Sequence, residues 1–167
     1  KEPIILIDYT IVNIGSKTLK NAYIGLYYDP DVYTTYYKYA WRDNSIGYYP
    51  EIRTSWVQNL GNMDATPVGF TVLGTSAQLP AGTYRFRWFT LNINGSALYD
   101  TDSVRYDLMS GAAFPGKPQI EPNPPIDVQE DYTFLFSFGP VEKWEVGETL
   151  RVATAIVCGF SVGIGNN

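Results

Sequence analysis

Apolar and polar residues along this 167-residue chain alternate or fall in short blocks, and they rarely recur at the three-and-four spacing of an amphipathic helix. Ile4 to Val12 (IILIDYTIV) is the first block, apolar apart from Asp8 and Thr10. A turn at Asn13-Ile14-Gly15-Ser16 follows, then Ala22 to Tyr28 (AYIGLYY), so the two segments are expected to pair as an antiparallel hairpin. The second segment runs into Asp29-Pro30-Asp31. Pro30 lacks an N–H and fixes its own φ, which ends the ladder at a corner carrying two carboxylates. Tyr33 to Tyr39 (YTTYYKY) reads as a strand or an ordered aromatic loop, and Arg42 to Gly47 reads as turn chemistry.

Thr54–Val57 and Gly69–Leu73 are short strands by the same criterion. After a turn at Leu79-Pro80-Ala81-Gly82, Tyr84, Phe86 and Trp88 alternate with Arg85, Arg87 and Phe89, which predicts a half-exposed strand with one basic face. Asn94-Gly95 is a strong two-residue turn signal, and Asn94-Gly95-Ser96 is a sequon that matters only in a glycosylating host. Tyr106 to Gly111 predicts one helical turn stopped by its glycine. Phe114 to Asp127 holds many of the 11 prolines and predicts an extended loop over the surface. Tyr132–Phe138 and Thr149–Val157 are the last strands, separated by a break at Gly139-Pro140 and a turn at Val146-Gly147-Glu148. The glycine-rich tail from Phe160 to Asn167 is expected to fray or to pass to a neighbour. About seven to nine short strands with Gly, Pro and Asn turns predict one all-β domain over residues 1–167, an Ig-like or jelly-roll-like antiparallel β-sandwich with very little helix.

Composition narrows the partners. Seventeen acidic against 12 basic residues give a net charge of −5, with no basic patch for nucleic acid. Charged residues at 17% and aromatics at 16% fit an extracellular β protein better than a cytosolic helical one. The single cysteine, Cys158, forbids an intrachain disulfide and is expected to be a buried, inert thiol. No apolar run approaches the ~20 residues of a membrane-spanning helix, so no membrane insertion is expected. The chain opens at Lys1 almost directly into a strand, and it is expected to be an excised or processed part of a longer secreted protein.

The absence of histidine removes His-based general bases, Ser-His-Asp and Cys-His nucleophiles, and His-ligated metals. No glycine-rich nucleotide loop is present. Paired carboxylates of the glycosidase kind are the remaining hydrolytic chemistry, a minor option in a chain expected not to be an enzyme. Calcium is better motivated, because hard cations take six to eight oxygens from carboxylates and carbonyls. Asp29 and Asp31 project from one corner, and Asp43 and Asn44 approach from the next. The plain alternative is that Asp29 and Asp31 cap their own turn. Asp100-Thr101-Asp102 reads as a solvated acidic turn. Aromatic residues crowd around the first corner, with Tyr36, Tyr37, Trp41, Tyr48 and Tyr49 as candidate ligand or partner contacts. Their alternative is that half of them face the core. Arg85 and Arg87 beside Trp88 make either an anion or cation–π site or a solvated strand face.

Several phrases taken together resemble a β-sandwich domain type of large secreted bacterial multidomain proteins, one with no established activity. They are IDYTIVNIG (Ile7–Gly15), LKNAYIGLYYDPDV (Leu19–Val32), RDNSIGYY (Arg42–Tyr49), VGFTVLGT (Val68–Thr75), YDLMSG (Tyr106–Gly111), SFGP (Ser137–Pro140) and VGETLRVATAIVCG (Val146–Gly159). The resemblance implies a secreted, multidomain, non-enzymatic context. Two departures follow from it. Asp43-Asn44 stands where the domain type has a pair of aspartates, which weakens a metal role there, and the strand that usually precedes IDYTIVNIG has almost no counterpart before Ile4. The expectation is therefore a non-catalytic extracellular structural or adhesion module. It would self-associate or dock by strand pairing with other copies or domains of a surface assembly, stabilised by calcium. The alternative is a carbohydrate-binding module that holds a glycan on the Tyr/Trp platform.

Overall fold

The computed structural model describes residues 3–32, 40–61, 66–77, 79, 83–90, 101–113 and 115–159, without the side chains of residues 40 and 41. Eight strands are present among them: β1 (Ile4–Val12), β2 (Leu19–Tyr28), β3 (Asn44–Tyr49), β4 (Thr54–Asn59), β5 (Val68–Thr75), β6 (Tyr84–Thr90), β7 (Tyr132–Trp144) and β8 (Thr149–Cys158). One α-helix, α1 (Asp102–Ser110), and two short 3-10 turns at Ala40–Asp43 and Pro50–Ile52 join them. A five-stranded sheet of order β1-β8-β5-β4-β3 packs on a three-stranded sheet of order β2-β7-β6. Every strand pairing is antiparallel, so the expected all-β sandwich is the architecture.

Period-two alternation builds the interior. Ile46, Tyr48, Val57, Phe70 and Val72 of the wide sheet meet Phe86, Tyr132, Phe134 and Phe136 of the narrow one. The Tyr48 ring stacks on Phe86 with centroids 4.4 Å apart, and burial pushes its hydroxyl up to about 12. Phe138, Trp144, Leu150 and Val152 form a second cluster, joined to the first through Leu26 and Tyr84.

The expected hairpin between the first two strands does not form. β1 pairs with β8 and β2 with β7, so the chain changes sheets between Val12 and Leu19. Asn13 fixes that corner. Its buried amide donates to Lys17 O and Trp144 O, its Oδ1 accepts from Gly15 N, and its backbone exchanges hydrogen bonds with Glu148 O and Gly147 N. The narrow sheet then takes up β2 through the apolar cross-strand pairs Ile24↔Phe138, Leu26↔Phe136 and Tyr28↔Phe134.

Three other expectations change. Asn44 to Gly47 is not a turn but the start of β3, held by six consecutive pairs with β4. The strand at Tyr132 does not break at Gly139-Pro140 and runs on to Trp144. A register shift opposite Ala22/Ile24 absorbs the irregularity, and a Cβ at Gly139 would sit 2.7 Å from Ala22 O. The helical segment extends N-terminally to Asp102. Thr101 caps it by accepting from Val104 N, so that corner starts a helix, with Asp102 still exposed to solvent and Asp100 outside the described residues.

The proline-rich segment is extended, as expected, and it straps one side of the sandwich shut. Phe86 N donates to Gln119 O and Glu121 N to Phe86 O along the edge of β6. Asn123 Oδ1 accepts from Tyr48 N at 2.8 Å and Ser45 Oγ donates to Ile126 O along the edge of β3. The strap also covers Arg87, which is 3% exposed and donates to Pro118 O. The expected solvated basic face is thus confined to Arg85, which donates to Gly139 O and lies over the Tyr23 ring.

Candidate functional site

Two features outside the core carry chemistry. The first is the corner after β2. Oxygens of Asp29, Asp31 and Asp131 lie within 4.8 Å of one another. β2 and β7 pair antiparallel as far as Tyr28↔Phe134, so the residues that follow β2 and those that precede β7 meet at one end of the sheet, which is why a residue so distant in sequence joins the pair. Burial and the neighbouring Asp29 hold the Asp31 carboxyl above its usual range. Burial, Asp29 and Asp31 do the same to Asp131, against an opposing effect of Arg42. Three clustered carboxylates are oxygen donors of the kind a hard divalent cation takes.

Asp43 and Asn44 are not among those three. Asp43 turns toward the start of the next loop, with its Oδ2 2.9 Å from where a Cβ at Gly61 would sit. Asn44 is buried in β3, and its carbonyl accepts from Glu130 N. Sequence reasoning missed Asp131, whose only signal is the strand register. Of the aromatic candidates, Tyr48 is 4% exposed and belongs to the core, so its ring offers no surface to a ligand. Tyr49 is 52% exposed at the end of β3. Tyr36, Tyr37 and the Trp41 side chain lie outside the described residues. Cys158 is a free thiol, partly buried at the end of β8, and not enclosed as expected.

The second feature is the edge formed by β1. Among the described residues β1 pairs only with β8, in unbroken register from Ile4↔Val157 to Val12↔Thr149. Pro3 O accepts from Cys158 N, and Asn13 N donates to Glu148 O. Both are odd-numbered positions, so odd residues turn their backbone groups toward β8. The N–H and C=O groups of Ile4, Leu6, Asp8, Thr10 and Val12 then point outward, because antiparallel ladders alternate in this way. The side chains on this strand are apolar yet exposed: Ile4 at 58%, Ile5 at 56% and Leu6 at 71%. Asp8 is its one charge. The other edge on this side, β2, is blunted. It carries the register shift at Ala22/Ile24 and a left-handed Asn21 whose carbonyl accepts from the Tyr106 hydroxyl. Comparison with protein-family models, with curated proteins and with solved structures finds no match to this chain.

Proposed function

We propose that this chain is a non-catalytic module of an extracellular surface assembly, docking a partner strand onto the outer edge of β1, which no described residue pairs. The observation that carries the reading is the regular, apolar, outward-directed ladder from Ile4 to Val12. Exposed edges of this kind are ordinarily blunted by charge, proline or a bulge, and β1 has one aspartate in nine residues. Strand addition would satisfy its donors and acceptors while covering Ile4 and Leu6. The low charge content and the resemblance of the quoted phrases to a secreted domain type support the extracellular setting. The probe is an extended peptide that alternates Ile with Thr and is capped by Lys. Its addition slows amide exchange at Leu6, Asp8 and Thr10, and Leu6→Pro removes the effect. Unchanged exchange at these amides with about 1 mM peptide overturns the reading.

In the same reading, calcium holds the Asp29, Asp31 and Asp131 corner together. Asp31 and Asp131 are held above their usual values, so they favour the fold below about pH 4 and oppose it as pH rises through the folded values. Asp131→Asn therefore raises the melting temperature at pH 7, and the gain vanishes in acid. Calcium raises the melting temperature of the unaltered chain and leaves Asp131→Asn nearly unmoved. A midpoint indifferent to calcium and to chelator rules out the ion.

A further inference from the structure

We infer that the strand received by β1 is the β1 of a second copy of this chain, antiparallel about a two-fold axis at Tyr9. The two five-stranded sheets then join into one continuous sheet. This inference rests on the strand-addition reading and names its partner and register.

A two-fold axis normal to the sheet places one residue opposite its own copy, because adjacent residues lie on opposite faces. The choices within β1 are few, and its single charge decides between them. An axis at Asp8 sets two carboxylates face to face, which is destabilising. An axis at Ile7 sets Asp8 against Leu6 of the second copy, and one at Thr10 sets it against Val12. An axis at Tyr9 sets Asp8 against Thr10 of the second copy, whose own neighbour on β8 is Arg151. Arg151 is exposed, lies on the same outer face as Asp8 and Thr10, and forms no ion pair among the described residues. Its side chain is long enough to reach across one strand to the carboxylate. The remaining pairs in this register are apolar: Leu6 meets Val12 on the outer face, and Ile7 meets Ile11 on the inner one.

The backbone agrees with this register. Leu6, Asp8, Thr10 and Val12 of each copy have outward N–H and C=O groups, giving about eight hydrogen bonds across the axis. Tyr9 then occupies a non-hydrogen-bonded pair with its copy, where Cα atoms are about 4.5 Å apart. A single joined edge buries less than the about 1,200 Å² of a standard interface, so free copies associate weakly and copies held close together associate strongly.

The test places one cysteine at a time in a Cys158→Ser background under mild oxidation. Tyr9→Cys forms a disulfide-linked dimer about tenfold faster than Asp8→Cys or Thr10→Cys, because only residue 9 faces itself within disulfide range. Light scattering of the unaltered chain shows a dimer growing with concentration. Leu6→Pro, which removes an outward donor and leaves the β8 ladder whole, returns it to monomer. A chain monomeric to about 1 mM, or equal cross-linking at the three positions, overturns the inference. If the Ile-Thr peptide still protects Leu6, Asp8 and Thr10 in such a chain, strand addition stands and only the self-pairing falls. A dimer that survives Leu6→Pro overturns the self-pairing, and strand addition then stands or falls on the peptide protection alone.

Discussion

The sandwich has two long sides, and they treat the same problem in opposite ways. On one side β3 and β6 leave two sheet edges next to each other, and the chain spends residues 115–131 covering them. Backbone groups of Gln119 and Glu121 engage β6, while Asn123 and Ile126 take hydrogen bonds from β3. On the other side β2 is distorted, but β1 is left straight, apolar and uncovered among the described residues. A chain that closes one flank with a proline-rich strap has the means to protect an edge, which makes the bare flank informative about docking.

That contrast can be broken by substitution. The largest effect is expected at Phe86→Ala, where the strapped edge holds a fully buried ring stacked on Tyr48; the loss is about 3–5 kcal/mol in urea denaturation. A loss below about 1 kcal/mol would mean that the strapped flank is loose after all. Asn123→Ala unfastens the strap from Tyr48 N, leaves a part-buried donor unpaired, and is expected to cost about 1–3 kcal/mol.

The Tyr48 hydroxyl adds a pH signature to the same flank. Its folded value of about 12 lies above the ordinary 10.0, so the fold keeps a proton that the unfolded chain releases. Stability from this group is complete below about pH 10 and is lost as pH rises toward the folded value. Tyr27, Tyr28 and Tyr132 are raised too, so alkaline weakening persists but is shallower in Tyr48→Phe. An alkaline profile identical to that of the unaltered chain would place Tyr48 outside the core. The smallest effect belongs to the open flank: Leu6→Ala changes the stability of the monomer by no more than about 0.5 kcal/mol. A cost comparable to Phe86→Ala would show that Leu6 is covered.

Much of this was legible in the residues. The alternation of Tyr84, Phe86 and Trp88 gave an inward face of one strand, and the run of prolines gave an extended cover. What escaped was set by contacts between distant segments. Arg87 reads as solvated because it is charged, yet its guanidinium is held by a carbonyl of the strap. Asn44 to Gly47 has turn composition and becomes a strand because β4 supplies a complete ladder. Asp131 joins Asp29 and Asp31 through a register that no local pattern encodes. Ile4 to Leu6 would fit a buried strand as well as a bare one, since apolarity says nothing about how many neighbours a strand finds.

Asn13 gives the bare flank its constancy. With its amide and both backbone groups engaged, this residue anchors the last turn of the ladder to the loop at Gly147 and Glu148. Sliding β1 along β8 would require surrendering all of those bonds at once. The flank therefore behaves as a ruler with a fixed zero: length changes between Gly15 and Thr18 leave its markings in place, whereas losing the Asn13 side chain lets the scale drift for whatever is measured against it.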